Sequence, residues 1–193
     1  MPTGKRKTGD KLGDIRRATI VEVVERGSSA ASVNAIAARA GLAVGTVYRY
    51  YESKDQLLRA VYLANKTELH QAMMQAASEG ETQKDRIRAM WFAVLDYAHR
   101  EPQSFLYSEM VVNDTILTDA DRGEIAGMAA ESRAIIGAAV EDGVLRSADT
   151  QAIVTVLAAP ALQLGRTGAL RGEPPDPAQA EEIFALCWRA VAS

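Results

Sequence analysis

Residues 32–54 read Ser-Val-Asn-Ala-Ile-Ala-Ala-Arg-Ala-Gly-Leu-Ala-Val-Gly-Thr-Val-Tyr-Arg-Tyr-Tyr-Glu-Ser-Lys. The spacing is that of two short helices joined by a tight turn, with a third helix starting at once behind them. Ser32 is placed to cap the first, its hydroxyl accepting from a backbone N–H two or three residues on. Val33, Ile36, Ala37 and Ala40 repeat at helical spacing and form one apolar face. Gly41 follows directly and supplies the left-handed conformation a sharp turn needs. Leu42 plugs the corner, and Val47, five residues on, faces back onto Ile36. Ala37 and Ala40 are small, so the two helix axes can cross closely and steeply. Ser53 caps the next helix, with Gln56 three residues later at capping-box spacing. Lys54 stands in that helix's first turn, an end that attracts phosphate.

The outward positions of the second helix are left for a partner. Thr46, Tyr48, Arg49 and Tyr50 can reach phosphates and base edges, so the pattern is a helix-turn-helix presenting a recognition helix to the major groove. The residues assigned to DNA are Ser32, Val44, Gly45, Thr46, Tyr48, Arg49, Tyr50 and Lys54. An ordinary helical hairpin shares the glycine turn and flanking alanines. The polar and aromatic outer face, the Ser53-Lys54 pair and the local charge favour DNA.

The run 36–58 resembles the N-terminal domain of TetR-family transcriptional regulators. One departure is Tyr51, where that family more often has phenylalanine; a buried hydroxyl there needs a partner. The resemblance implies an all-α fold with an N-terminal three-helix DNA-binding domain. It also implies a C-terminal helical domain for ligand binding and dimerisation. The expected boundaries are 1–54 for the first domain, with a mobile arm over 1–12 and the helix-turn-helix over 32–51, and 55–193 for the second.

Charge agrees with this division. The 193 residues carry a net charge of −3, which by itself disfavours DNA. Residues 1–54 hold ten Lys or Arg against five Asp or Glu, and residues 55–193 hold twelve against twenty. A basic head on an acidic body confines the attraction for phosphate to one end. In the arm, Lys5, Arg6, Lys7 and Lys11 can follow the DNA backbone or enter the minor groove. A solvated tail explains them equally well.

Apolar residues make up 48% of the chain, alanine dominates and no alternating strand pattern persists, which predicts helices throughout. The expected helices cover 14–26, 54–77, 82–100, 103–112, 119–142, 150–169 and 177–191. Pro160 falls inside the sixth and is expected to kink it. The single cysteine, Cys187, excludes an internal disulfide framework, and one cysteine with His70 and His99 builds no zinc set. No nucleophile-base arrangement or phosphate loop appears, so neither an enzyme nor a cofactor is expected. With no run of eighteen apolar residues and no apolar leader, a cytoplasmic protein without a membrane partner is expected.

Two further expectations concern the body. Ile153, Val154, Val156, Leu157, Ala158, Ala161, Leu162 and Leu164 surround much of one helix, which must then be buried on most sides. The resemblance implies that this helix and the last one form a four-helix homodimer interface, and Leu157 is expected there. It further implies an effector pocket, with Trp91, Leu95, Phe105, Met110, Met128 and Gln163 as candidate lining residues. Methionines and aromatics adapt to varied apolar ligands. For any one of them, plain core packing is the simpler explanation. His99, Asn113, Arg133 and Arg166 are further polar candidates. The expected function is a homodimeric repressor released from a palindromic double-stranded DNA operator by a small, mainly apolar effector. The alternatives are a helical ligand-binding module with a non-functional or weakly specific head, and a general DNA-coating protein. The intact recognition face opposes the first, and the large acidic, apolar body opposes the second.

Overall fold

In the computed structural model, which describes residues 10–111 and 116–193, Asp10 opens the first helix. Its carboxylate accepts from the Gly13 N–H at 2.8 Å. A Cβ at Gly13 would overlap that carboxylate, so the glycine leaves room for the cap. The helix therefore starts at Lys11 and not at Asp14, which shortens the expected arm. Lys11 is a helical residue, whereas Lys5, Arg6 and Lys7 lie outside the described residues.

The described residues form nine helices: α1 Lys11–Arg26, α2 Val33–Ala40, α3 Val44–Tyr48, α4 Lys54–Ser78, α5 Gln83–Arg100, α6 Pro102–Met110, α7 Asp119–Glu141, α8 Thr150–Arg171 and α9 Pro177–Val191. Their ends follow local chemistry. Thr82 and Asp85 form a reciprocal capping box on α5, and Thr118 and Asp121 do so on α7. Pro102 occupies the first position of α6, where its missing N–H has no helical partner to lose. Gly172 caps α8 in the left-handed region, so the helix runs to Arg171, two residues beyond the expected end at 169.

Ile15, Ile36, Leu57 and Val47 centre a first core made by α1, α2, α3 and the start of α4. Full burial of each such side chain contributes roughly 1.5–3 kcal/mol. Tyr107 and Val111 of α6 belong to the same core, and the Tyr107 hydroxyl donates to the Leu58 carbonyl at 2.8 Å. Packing thus runs unbroken across residue 54. A second core joins α5, α6, α8 and α9 around Trp91, Phe105 and Phe184. A third joins Ile136, Leu145, Ile153 and Leu157 with the end of α9. The chain end is clasped there, because Arg146 N–H donates to the Val191 carbonyl at 2.9 Å.

α8 departs from the expectation of burial on most sides. It runs through Pro160 as one helix, and its buried stripe is Ile153, Leu157, Ala161 and Gly165. Val156, Leu162 and Leu170 are exposed, as is Leu186 on α9. Leu157 is interior, and its carbonyl accepts from the Trp91 indole N–H at 2.9 Å. It therefore belongs to the core of one chain rather than to a surface between two.

The Ser32 cap gives a direct stability test. Its hydroxyl accepts from Ala35 N–H at 3.2 Å. Ser32→Ala is expected to cost about 1 kcal/mol, seen as a lowered midpoint in thermal or urea denaturation. An unchanged midpoint removes the cap's role.

Candidate nucleic-acid interface and ligand cavity

The turn between α2 and α3 is built as its residues dictate. Gly41 adopts φ 69° and ψ 32°, and its N–H bonds back to the α2 carbonyls. Leu42 is half-buried against the first core, and Val47 is 1% exposed beneath it. α3 is shorter than the sequence suggests. It ends at Tyr48, with Arg49 as its C-cap and Tyr50 in the following turn. The N–H groups of Tyr50 and Tyr51 both converge on the Val47 carbonyl, which closes the helix. β-branched and aromatic residues are poor helix formers, and Ser53 must be extended to cap α4.

The assigned DNA residues fall on one end of the molecule. Tyr48 and Tyr50 are 51% and 44% exposed. Arg49 is exposed and carries no ion pair among the described residues. Val44 and Thr46 are half-buried, so they present edges rather than whole side chains. Gly45 is exposed, and a Cβ built on it meets nothing. No contact among the described residues requires glycine there. Ser32 is exposed at the start of α2. Lys54 is committed in part, since its Nζ donates to the Ser29 carbonyl at 3.1 Å. Ser53 caps α4 as expected, but the Gln56 side chain accepts from the N–H of Glu52, one residue ahead of the cap. Tyr51 is half-buried, and burial pushes its phenol above the usual range.

Several head arginines are ion-paired. Arg39 of α2 reaches Glu22 at 3.1 Å and also holds Glu25. Glu22 is 2% exposed, with Arg26 Nε 3.2 Å from its other oxygen. Arg17 pairs with Asp14 at 2.6 Å. Arg16 grips both oxygens of Glu68 and donates to Asn65 Oδ1 at 2.6 Å. Those contacts hold the Arg16 guanidinium above its ordinary pKa. Arg16 is therefore no free phosphate contact, whereas Arg17, exposed in a surface pair, stays open to one.

The Arg16 contacts begin a chain of bonds into the body. The Asn65 amide donates to the Ser104 carbonyl at 3.1 Å, and the Tyr97 hydroxyl lies 3.4 Å from the Asn65 carbonyl. Burial, followed by the Glu68 charge, pushes Tyr97 up to about 12. One side chain of α1 is thereby tied to α4, α5 and α6. The signal in the sequence was Asn65, a polar residue in register with Leu58 and Val61 on an otherwise buried stripe.

The body holds a cavity of about 210 Å³ between α4, α5, α7 and α8. Leu69 and Met73 of α4, Met90 and Trp91 of α5, Ile136 of α7 and Leu162 of α8 form most of its wall. Lys66 and Ser132 are its hydrophilic members. Of the six residues expected to line it, Trp91 does. Leu95 and Phe105 are buried in the adjoining second core. Met128 is half-buried further along α7. Met110 is 42% exposed. Gln163 is exposed on the outer face of α8, because two residues past Ala161 a helix has turned by about 200°. Of the other polar candidates, Arg133 bonds Gln151 at 3.5 Å, Arg166 and His99 are exposed, and Asn113 lies outside the described residues.

Comparison with known proteins agrees with this architecture. Residues 15–61 match the family described as bacterial regulatory proteins, tetR family. The whole fold superposes on a TetR-family transcription regulator from Marinobacter aquaeolei VT8, at 26% identity and a TM-score of 0.85, over 95% of this chain and 96% of that one. A candidate family member from Shewanella sp. PV-4 is similar at 24% identity and a TM-score of 0.80, over 95% and 98% of the two chains. A regulatory protein of the tetR family from Rhodococcus RHA1 is similar at 22% identity and a TM-score of 0.79, over 96% and 98%.

Proposed function

We propose that this chain, a TetR-family DNA-binding regulator by its head and its fold, acts as a homodimeric repressor. It leaves a palindromic operator when a small, mainly apolar effector enters the body cavity. The observation that carries the reading is the outer face of α3 and its C-cap. Tyr48, Arg49 and Tyr50 are exposed side by side, one turn from Gly45, a glycine that no contact among the described residues requires. The head is taken as residues 1–54 and the regulatory and dimerising body as residues 55–193.

A second copy accounts for the outer faces of α8 and α9. By length and composition α8 is apolar enough to cross a membrane, with an 18-residue window of mean hydropathy 1.3. Its inner stripe is packed into the second and third cores, however, and its outer face carries Gln163 and Arg166 among the exposed apolar residues. A face of that mixed kind suits a symmetric protein interface, where residues on α8 and α9 meet their own equivalents.

The route from cavity to head is short. α4 carries Leu57 and Leu58 in the head core and Leu69 and Met73 in the cavity wall. A shift of α4 moves both, and the Arg16 contacts make α1 follow. The effector favours the conformer whose two heads misfit the operator, so the loss of DNA affinity equals its difference in affinity for the two conformers. Such coupling is typically about 5–150-fold.

Gly45→Ala separates this function from folding. Alanine at a helical position with open space is expected to raise stability by up to about 1 kcal/mol. The added methyl stands where the duplex backbone must approach, so operator affinity is expected to drop roughly tenfold. Thermal melting and a fluorescence-anisotropy titration with operator DNA read the two effects. Undiminished DNA affinity in the stabilised variant contradicts the placement of α3 against the duplex.

A further inference from the structure

We propose that the body cavity is built for an elongated apolar molecule ending in one carboxylate, with Lys66 as the partner of that carboxylate. The inference deepens the effector reading above by naming the chemical class, and it rests on the cavity's own residues.

Among the described residues the wall is apolar apart from Lys66 and Ser132, and it contains no carboxylate. Trp91 presents its ring only, because its indole N–H is spent on the Leu157 carbonyl. The Ser132 hydroxyl donates to the Met128 carbonyl at 3.3 Å and keeps its acceptor side. Lys66 is the cavity's one full charge, and it is a cation.

Its charged neighbours are ion-paired, and Lys66 forms no ion pair among the described residues. Along α4, Arg59 pairs with Asp121 at 3.2 Å, and His70 meets Glu131 at 2.8 Å. Glu68 is taken by Arg16. Among the described residues no carboxylate lies within ion-pair distance of Lys66. Its ammonium stands over the Tyr62 ring, 6.0 Å from Nζ to the centroid. The Glu109 charge reaches it only at a distance, and burial outweighs that, holding the ammonium below the usual lysine range. An ammonium half withdrawn from water and left without an anion is costly, and a carboxylate brought by a ligand removes that cost. A neutral ligand leaves it in place.

The geometry also sets the ligand's direction. Lys66, Leu69 and Met73 share one face of α4 and all line the cavity. At 1.5 Å per residue, Lys66 and Met73 stand about 10 Å apart along the axis. The charged end of the ligand therefore sits on the side of the head, and the tail runs towards Met73 and Met90. Lys66 follows directly on Asn65, which the Arg16 contacts engage. An anion at Lys66 thus acts on the turn of α4 that holds α1.

The test uses the full chain without DNA. Octanoate, decanoate and dodecanoate are titrated by calorimetry beside decanol, decylamine and decanoyl-CoA. Decanoate is expected to bind about tenfold to a hundredfold more tightly than decanol, and decylamine more weakly than either. Lys66→Met is expected to bring decanoate down to the affinity of decanol while leaving decanol unchanged. Lys66→Arg is expected to retain most of the preference. Melting of Lys66→Met at or above the parent temperature shows that the cavity is intact. Equal affinities for decanoate and decanol overturn the inference, as does a preference for the amine, binding of the thioester alone, or an undiminished preference in Lys66→Met. Adding operator DNA then separates the two readings. Carboxylate that binds through Lys66 but leaves DNA affinity unchanged rejects the effector reading and keeps the site.

Discussion

The double variant Val156→Glu, Leu186→Glu is expected to sediment as a folded monomer, with operator binding reduced beyond detection at the concentrations that saturate the parent. Both side chains are exposed, at 42% and 52%, so charge costs the isolated chain little. Across a symmetric interface each substitution appears twice and leaves desolvated charges facing one another. A single head keeps only half of the phosphate and base contacts, so the specific affinity collapses with the dimer. Leu157→Glu separates interior from interface. Leu157 is 5% exposed and packs in the third core, so a carboxylate there is expected to cost more than about 4 kcal/mol and to unfold or grossly destabilise the chain. A folded dimer from the double variant in sedimentation velocity moves the interface elsewhere.

Arg49→Ala is expected to lower operator affinity by about tenfold to a hundredfold and to broaden the set of accepted sequences. The guanidinium is exposed beside α3 and is engaged in no ion pair among the described residues, so its donors are free for a base edge. Thr46→Ala is expected to change preference in the same sense but less, because Thr46 is half-buried. Tyr48→Ala is expected to act differently, weakening binding to all sequences alike and lessening its salt dependence. Lys54→Ala combines two effects, since it also frees the Ser29 carbonyl that Nζ now holds. Its loss of DNA affinity must be read beside its melting temperature. Selection of bound sequences from a random pool checks all four. A pool selected by Arg49→Ala that matches the parent's removes Arg49 from base reading.

The head was legible from sequence because its signals are local. Ser32, Gly41 and Ser53 act on backbone within a few residues, and each does what its chemistry dictates. Gly41 alone fixes the turn, and Val47 follows as the residue that must face inward. The limits were also local. Asp10 caps α1 inside the stretch expected to be a mobile arm, and the pile-up of Thr46, Val47 and Tyr48 ends α3 sooner than a full second helix requires. The body was legible only as a set of helices. Which face of α8 turns inward is decided by four neighbouring helices, so an apolar list could not separate interior Leu157 from exposed Val156. Gln163, which the resemblance placed in the cavity wall, stands outside because of the rotation of α8. Lys66 was passed over because a lysine on a long, mixed helix reads as solvated. Its significance appears only once α5, α7 and α8 close around it. Arg16 and Arg39 show the converse, basic residues of a basic head whose charges are spent on Glu68, Glu22 and Glu25.

The most direct measurement is recovery of sheared host DNA by the purified full-length chain at low ionic strength, followed by sequencing of the retained fragments. The account predicts strong enrichment of a few fragments that share an inverted repeat, with half-site centres roughly 34 Å or a multiple of that apart along the duplex. It predicts that the enrichment disappears with Arg49→Ala and in the monomeric double variant. Retention of no fragment, or retention of all fragments alike without a shared repeat, contradicts it.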